Sequence, residues 1–449
     1  MPTLIKSISG WGRYPVQSCE LLRPERYADL RCAADSVIAR GQGRSYGDAA
    51  LNEHGHVVLT ERINRLLEFD AVNGVLRGEA GVTLAEILAL IVPQGWFLPV
   101  TPGTKFVSLG GCVAADVHGK NHHHDGSFGD HVMSIELILA DGKRASCSAT
   151  EYPELFWATV GGMGLTGIIG EVTLKLIPIQ SAYMKVRHHA ADDLEQLFSH
   201  MQDPDNDDRY TVAWIDSLAT GKSLGRGIAM CGHHAAVEEV PDDAHVDIKP
   251  ERSHSIPFDF PAWALNRLSI SAFNSRYYRR EGGRRYPFLS DYDPYFYPLD
   301  AIAGWNRMYG KRGFVQYQCV IPDAAAFAGV RALLEELSNS RRPSFLAVLK
   351  RLGAQGRGML SFPLAGYTLA LDLPIRDDGL FALLGKLDEI VLLHGGRVYL
   401  AKDARLSADS FRAMYPRYAE WRAIKNAVDP DNRFSSSLSR RLEITPGGP

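Results

Sequence analysis

The chain has few cysteines, no long apolar run and almost no net charge, and each shortage removes a class of protein. Its six cysteines, Cys19, Cys32, Cys112, Cys147, Cys231 and Cys319, are scattered without a CxxC pair. Reduced thiols in an intracellular protein are expected, rather than a disulfide scaffold. No stretch approaches the ~18 uninterrupted apolar residues of a membrane-spanning helix. The opening MPTLIKSISGWGRYP lacks the longer apolar core and small-residue cleavage site of a signal peptide. A cytoplasmic protein is expected, with peripheral contact at the inner face of the membrane left open. The formal net charge of −3 supplies no general attraction to a phosphate backbone, so nucleic acid is not an expected partner. Repeats and low-complexity tracts are absent as well.

What is present is an ordinary globular composition, 45% hydrophobic and 22% charged, which argues against disorder. At 449 residues the chain exceeds what one hydrophobic core usually supports, so two domains are expected. From about residue 15 to 178, short β-like runs alternate with glycine-rich turns, an α+β arrangement rather than a βαβ repeat. One helix is predicted there: in TLAEILALIVPQG the residues Leu84, Ile87, Leu88 and Ile91 recur at helical spacing, and Pro93 and Gly95 end the pattern. Near residue 180 the texture changes. A helix is predicted over DDLEQLFSHMQ, and residues 236–295, rich in Pro, Arg, Asp and aromatics, read as long loops. FVQYQCVIP, FLAVLKRLG and YTLALDLPI then read as strands and AAAFAGVRALLEELSNS as a helix. The last segment gives one strand followed by helical patterns.

The glycine motifs do not describe a nicotinamide site. GGMGLTG satisfies G-x-G-x-x-G through Gly162, Gly164 and Gly167, but the next residues, IIGEVTLKLIP, alternate like a strand where the fingerprint needs a helix. Glycine loops can still gather backbone N–H groups onto a phosphate without a helix. Three such loops fall within 75 residues: Gly41, Gly43 and Gly47; Gly103; Gly110 and Gly111. The alternative for each is simple turn geometry.

The stretch ADVHGKNHHHDGSFGDH holds His118, His122, His123, His124 and His131, five of the fifteen histidines. Zinc needs three or four converging ligands, whereas neighbouring histidines on one backbone point in different directions, and no HExxH pattern is present. No metal is expected. His122, His123, His124 and His131 are expected at the surface or behind a pocket wall.

In order and spacing, ARGQGRSYGDAALN, LPVTPGTKFVSLGGCVAADVHGKNHHHDGSFGDHV and ELFWATVGGMGLTGIIGEVTLKL resemble the PCMH-type flavin domain of the vanillyl-alcohol-oxidase superfamily. Adding VHGKNHH, FVQYQ, FPLAGYTLALDLPI and YLAKDAR, nearly the whole chain is similar to the decaprenylphosphoryl-β-D-ribose 2′-oxidase family. The resemblance implies an α+β fold in which an FAD-binding domain is interrupted by a substrate domain on an antiparallel sheet with helices. The expected segments are residues 1–180 for the first part of the FAD domain, 181–396 for the substrate domain and 397–449 for the C-terminal return. It further implies that non-covalent FAD takes a hydride from C2′ of a polyprenylphosphoryl ribose. The resulting 2′-keto sugar passes to a separate NADH-dependent keto-reductase, which makes the arabinose donor for the cell envelope.

Residue by residue, the resemblance assigns FAD contacts to Ala39, Arg40, Gly41, Gln42, Gly43, Arg44, Ser45, Tyr46, Gly47, Asp48 and Ala49 in the first loop. Gly103, Ser108, Leu109, Gly110, Gly111, Ala115, Asp116, Val117, His118, Ile169 and Tyr399 complete that set. The sugar pocket is assigned to Lys120, Trp214, Tyr297, Gly304, Gln316, Gln318, Val348, Lys350, Thr368, Ala370 and Lys402. Gln316 and Gln318 alternate in QYQ, so a strand presents both to one face; the alternative is the polar face of an exposed strand. Thr368 and Ala370 are departures, since relatives carry asparagine and a cysteine to which inhibitors attach. Asp372 is retained and could anchor the lysine or the strand.

Oxidising an alcohol requires removal of its hydroxyl proton as the hydride leaves. Lys402, His118 and Tyr46 are the candidates, and the residues alone do not choose among them; an ion pair with Asp403 is the structural alternative for Lys402. Two other readings stand beside the lipid-sugar oxidase: an FAD-dependent oxidase of a soluble sugar, aldonolactone or alditol, and a binding protein that has lost its chemistry.

Overall fold

Thr83 caps the helix Leu84–Ile91 in a capping box with Glu86, and a 3-10 turn ending at left-handed Gly95 stops it, so this element follows its sequence signals closely. The computed structural model describes residues 3–32, 34–202, 208–240, 254–261 and 264–446. Helices and sheets are mixed throughout, an α+β architecture. Two smaller sheets occupy the N-terminal part. One has four strands in the order Leu4–Ser9, Val16–Leu22, His56–Leu59 and Val37–Arg40. The other has five: Leu66–Asp70, Val75–Glu79, Ile168–Lys175, Val132–Ile138 and Arg144–Cys147.

The third sheet has eight strands in the order Phe288–Asp291, Tyr183–Ala191, Gly227–His234, Tyr210–Ile215, Ala347–Leu352, Gly366–Pro374, Phe314–Pro322 and Arg397–Val398. Every pairing in it is antiparallel. Its two faces differ in a way the period of two dictates. Leu369, Leu371 and Leu373 pack with Leu333 and Leu337 of the helix Ala326–Asn339 and with Leu380 and Leu384 of the helix Gly379–Leu393. Tyr317 reaches Asp388 on the second of these helices, 3.0 Å away. The alternate residues Thr368, Ala370, Gln316 and Gln318 line a cavity instead.

The largest departure from expectation is residues 236–295. Among the described residues they contain the sixteen-residue helix Arg267–Gly282, the strand Phe288–Asp291 and the short helix Tyr292–Phe296, where long loops were expected. Asn266 caps the long helix by accepting from the backbone of Leu268 and Ser269. Its buried residues are Ile270, Asn274 and Glu281, two of them polar, so no apolar stripe marks it in the sequence. It packs on the strands Tyr183–Ala191 and Gly227–His234. Asn274 donates to Asp216 at 2.6 Å and Tyr278 to Asp192 at 2.7 Å, which fixes the helix at two points.

The C-terminal residues return to the N-terminal sheets. The Val37 and Ser435 amides donate to Arg433 and Val37 carbonyls, extending the four-stranded sheet through Phe434. Arg441 bridges Asp48 and Asp403, with 2.8 Å to each. The Trp421 indole donates to the Ala158 carbonyl at 2.8 Å.

Candidate active site

One cavity of about 950 Å³ runs from the glycine loops to the eight-stranded sheet. Of the residues the resemblance assigned to a cofactor, it is lined by Ala39, Gly41, Gln42, Gly43, Arg44, Ser45, Tyr46 and Ala49, by Gly103, Ser108, Gly110 and Gly111, and by Ala115, Val117, His118, Ile169 and Tyr399. Gly43 has φ +62°, a conformation that a side chain resists. A Cβ on Gly103 would meet no atom within 4 Å, so it would project into open space in the wall. Such loops leave a cradle of backbone where a dinucleotide's phosphates can approach closely, and the residues present fit FAD.

Four of the assigned cofactor residues that do not line the cavity hold its wall from behind. Arg40 donates to the carbonyls of Ser9 and Ala50. Asp48 pairs with Arg441, and a Cβ on Gly47 would collide with the Asp403 carbonyl. Leu109 is fully buried in the core. A fifth, Asp116, accepts from the Gly129 amide at 2.9 Å and the Ser361 hydroxyl at 2.5 Å. Of the residues assigned to the sugar, Tyr297 is fully buried against Thr101, and Gly304 lies outside the lining between Ile302 and Trp305, which do line it.

The remaining residues assigned to the sugar converge: Lys120, Trp214, Gln316, Gln318, Val348, Lys350, Thr368, Ala370 and Lys402 all face the cavity. Gln316 and Gln318 are 8% and 5% exposed, so the exposed-strand alternative does not hold. The Gln318 amide nitrogen donates to Thr368 Oγ1 at 3.1 Å and lies 2.8 Å from His118 Nε2. An amide nitrogen only donates, so that imidazole nitrogen accepts and the ring is neutral, with its proton on Nδ1. Burial pushes His118 well below its ordinary range, and the nearby Lys350 adds to this. Gln316 donates to Asp372 at 2.6 Å, and the Tyr309 hydroxyl donates to the same carboxylate at 3.3 Å.

Lys402 places its Nζ 4.0 Å from the centre of the Tyr46 ring. Burial pushes its ammonium down to about 7, with Asp372 opposing the shift and Lys350 adding to it. The ion pair with Asp403 does not form; that carboxylate faces Arg441. Burial raises Asp372 to about 6 and carries Tyr46 well above the ordinary phenol range. Of the three candidates for the proton, only Lys402 titrates near neutrality.

Most of the histidine cluster turns inward to support structure. His122 is buried, its Nδ1 accepting from the Gly353 amide and its Nε2 3.0 Å from the Ser127 hydroxyl. His131 donates to the Asp125 carbonyl, His123 is half-buried and His124 is exposed. Sequence reasoning missed the far wall of the cavity: Val212, Met230 and His188 from the sheet, and Phe273, Tyr277, Arg280, Glu281 and Arg284 from the long helix and the turn after it. The signal was available, since Phe273, Tyr277, Arg280 and Arg284 recur at helical intervals in a segment read as loop.

Residues 28–148 match the FAD binding domain family and residues 381–442 the D-arabinono-1,4-lactone oxidase family. The Delta(24)-sterol reductase of Homo sapiens is 30% identical over 138 residues, 30% of this chain and 27% of that one. An uncharacterized protein of Streptomyces coelicolor is 35% identical over 81% of this chain and all of its own length. The decaprenylphosphoryl-beta-D-ribose oxidase of Mycolicibacterium smegmatis is 37% identical over 99% of this chain and 98% of its own. With that identity across both full lengths, and the FAD-domain match over the glycine loops, the chain belongs to the decaprenylphosphoryl-beta-D-ribose oxidase family.

Proposed function

We propose that the protein is an FAD-dependent oxidoreductase that converts the 2′-hydroxyl of a polyprenylphosphoryl-β-D-ribose to the ketone, with Lys402 accepting the hydroxyl proton. The observation that carries this reading is Lys402, set over the Tyr46 ring and within the electrostatic influence of Asp372, in the cavity that the glycine loops also line. When bound, FAD supplies the acceptor for the hydride that leaves C2′. Lys402 is partly neutral near pH 7, which suits a general base. His118 and Gln318 form a fixed donor–acceptor pair against which a sugar hydroxyl can be oriented. Gln316 is oriented by Asp372 and offers its amide carbonyl to a second hydroxyl.

FAD is bound non-covalently, by residues 1–180 and 397–449, and residues 181–396 form the inserted substrate domain. The keto sugar passes to an NADH-dependent reductase. A peripheral seat on the membrane is supported by exposed Leu268 on the helix that carries Arg276 and Arg279; Trp263, expected to add apolar area to this segment, lies outside the described residues. No helix among the described residues is long and apolar enough to cross a membrane.

A second reading, oxidation of a soluble sugar lactone, is favoured by the match of residues 381–442 to the D-arabinono-1,4-lactone oxidase family. One experiment separates the two. Anaerobic flavin reduction is followed with a prenylphosphoryl ribose, free ribose and an aldonolactone. Reduction by the lipid sugar alone is expected, and reduction by the lactone in preference to it sinks the proposal. Acid precipitation of the same sample should leave all flavin in the supernatant.

A further inference from the structure

The cavity holds more positive charge than it holds partners for it. Lys120, Lys350 and Lys402 all line it, and the carboxylate near them, Asp372, acts on Lys402 and is already held by Gln316 and Tyr309. Among the described residues, none of the groups acting on Lys120 or Lys350 is a carboxylate: burial lowers both, and Lys350 further lowers Lys120. Glu281, the carboxylate that lines the cavity among the described residues, faces His188, Arg280 and Arg284. A cluster of buried ammonium groups without anions is costly to hold and calls for a ligand that brings the missing charge.

The register of the sheet says where that charge lies. Lys350 pairs with Thr368, and Val348 with Ala370, which in turn pairs with Gln318. Thr368 bonds the same Gln318 amide that bonds His118. Lys350 therefore sits on the neighbouring strand, directly opposite the threonine that touches the His118 partner. Lys120 lies nearby, its Nζ 4.1 Å from the centre of the Tyr295 ring and bonded to the Tyr295 carbonyl. An oxidised C2′ is three bonds from the phosphorus on the neighbouring anomeric oxygen, so its anion must sit close beside the reacting carbon.

We propose that Lys350 and Lys120 form an anion subsite for the phosphodiester of the substrate, so that the phosphate fixes which ribose carbon faces Lys402. The assignment rests on the lipid-sugar reading above and adds the part of the substrate that these two lysines recognise. A neutral riboside lacks the group they hold, and free phosphate lacks the lipid.

The test titrates the FAD-loaded protein with a methyl prenyl phosphodiester and with inorganic phosphate, reading the flavin absorbance, and measures KM for a prenylphosphoryl ribose. The diester is expected to bind and to compete with the ribose substrate. Lys350→Met should weaken diester binding and raise KM about 10- to 100-fold, with the loss carried by KM rather than by the saturating rate. Because Lys350 is pushed down to about 8, the affinity of the native protein should fall as pH rises through that value, and Lys350→Arg should flatten the fall. Unchanged diester binding in Lys350→Met, or a native affinity that is level from pH 7 to 9, overturns the subsite. So does inorganic phosphate binding as tightly as the diester, which would mark a free-phosphate site. If Lys350→Met does not retain its flavin, Lys120→Met is read the same way. A diester that binds through Lys350 while no prenylphosphoryl ribose is oxidised leaves the subsite standing and removes the proposed reaction.

Discussion

At the scale of single residues, the charge state of Lys402 is set by two opposed influences, the dry cavity and the Asp372 carboxylate. A base must be neutral to accept a proton, so flavin reduction should rise with pH through an inflection near 7. Asp372 is the group that opposes the shift, so Asp372→Asn should move this inflection to lower pH. Lys402→Met should slow reduction by about 10²–10⁴-fold without releasing flavin. Rapid-mixing absorbance over a pH series reads all three, and an inflection that stays in place in Lys402→Met removes that lysine from the proton transfer. Ala370 allows a separate check of geometry. It lines the cavity opposite Val348 and Gln318, so Ala370→Cys should place a thiol in the cavity that Lys120, Lys350 and Lys402 also line, where cations favour the thiolate. A nitroaromatic or alkylating reagent should then label position 370, as peptide mass shows, and the prenyl diester should protect it. Labelling that the diester does not slow would place position 370 outside the bound ligand's reach.

At this scale the sequence was most informative where residue chemistry repeats along one strand. QYQ places two amides on one face, and the strand does so. It was least informative about partners distant in the chain: that Asp403 belongs to Arg441, leaving Lys402 free of it, depends on a residue 38 positions further on.

Among the elements, the helix Arg267–Gly282 has the most distinctive physics. Its buried positions are filled by an amide and a carboxylate as well as Ile270, so hydrogen bonds share the seating with the Tyr277 ring against Trp214. Asn274→Ala should leave the buried Asp216 short of a donor and cost about 1–3 kcal/mol, read as a lowered unfolding midpoint or as faster proteolysis within 264–290. No change in either would mean that the helix is held elsewhere. The outer side of the same helix carries the membrane proposal. Flotation with anionic vesicles should fall when Arg276 and Arg279 are replaced by serine, because each cation near such a surface contributes about 1 kcal/mol. Equal flotation of parent and variant excludes this face. The polar seating also explains why the element was read as loop: periodicity arguments detect apolar stripes, and the stripe facing the cavity here is Phe273, Tyr277, Arg280 and Arg284. By contrast, Leu84–Ile91, with a cap, an apolar face and a glycine stop, was legible in full.

For the molecule as a whole, the cavity draws on stretches far apart in the chain: the loops from Ala39 to Lys120, Met163 to Ile169, the eight-stranded sheet, the helix Arg267–Gly282 and Tyr399 to Lys402. The change in composition near residue 180 marks where the strands of that sheet begin, at Tyr183. That the last residues reach back to Val37 and Asp48 was not legible in local pattern and entered only through resemblance. Arg441 is the tightest expression of that return. Arg441→Ala leaves Asp48 and Asp403 facing one another with little water, and should cost about 3–5 kcal/mol and weaken flavin retention. Thermal unfolding with and without added FAD measures both. A variant as stable as the parent would show the bridge to be incidental.

This tie has a consequence for the order of events during synthesis. A chain grows from its N-terminus, at roughly 5–20 residues per second, so the glycine loops exist long before the residues that close behind them. Until Lys402 has been made the cavity lacks the proposed base, and until Arg441 has been made nothing joins Asp48 to Asp403. Flavin capture should therefore be a late event. Chains arrested on the ribosome after residue 430 should release FAD freely, and chains extended through residue 446 should hold it; a nascent chain that retained flavin before Arg441 was present would show that capture does not need this bridge.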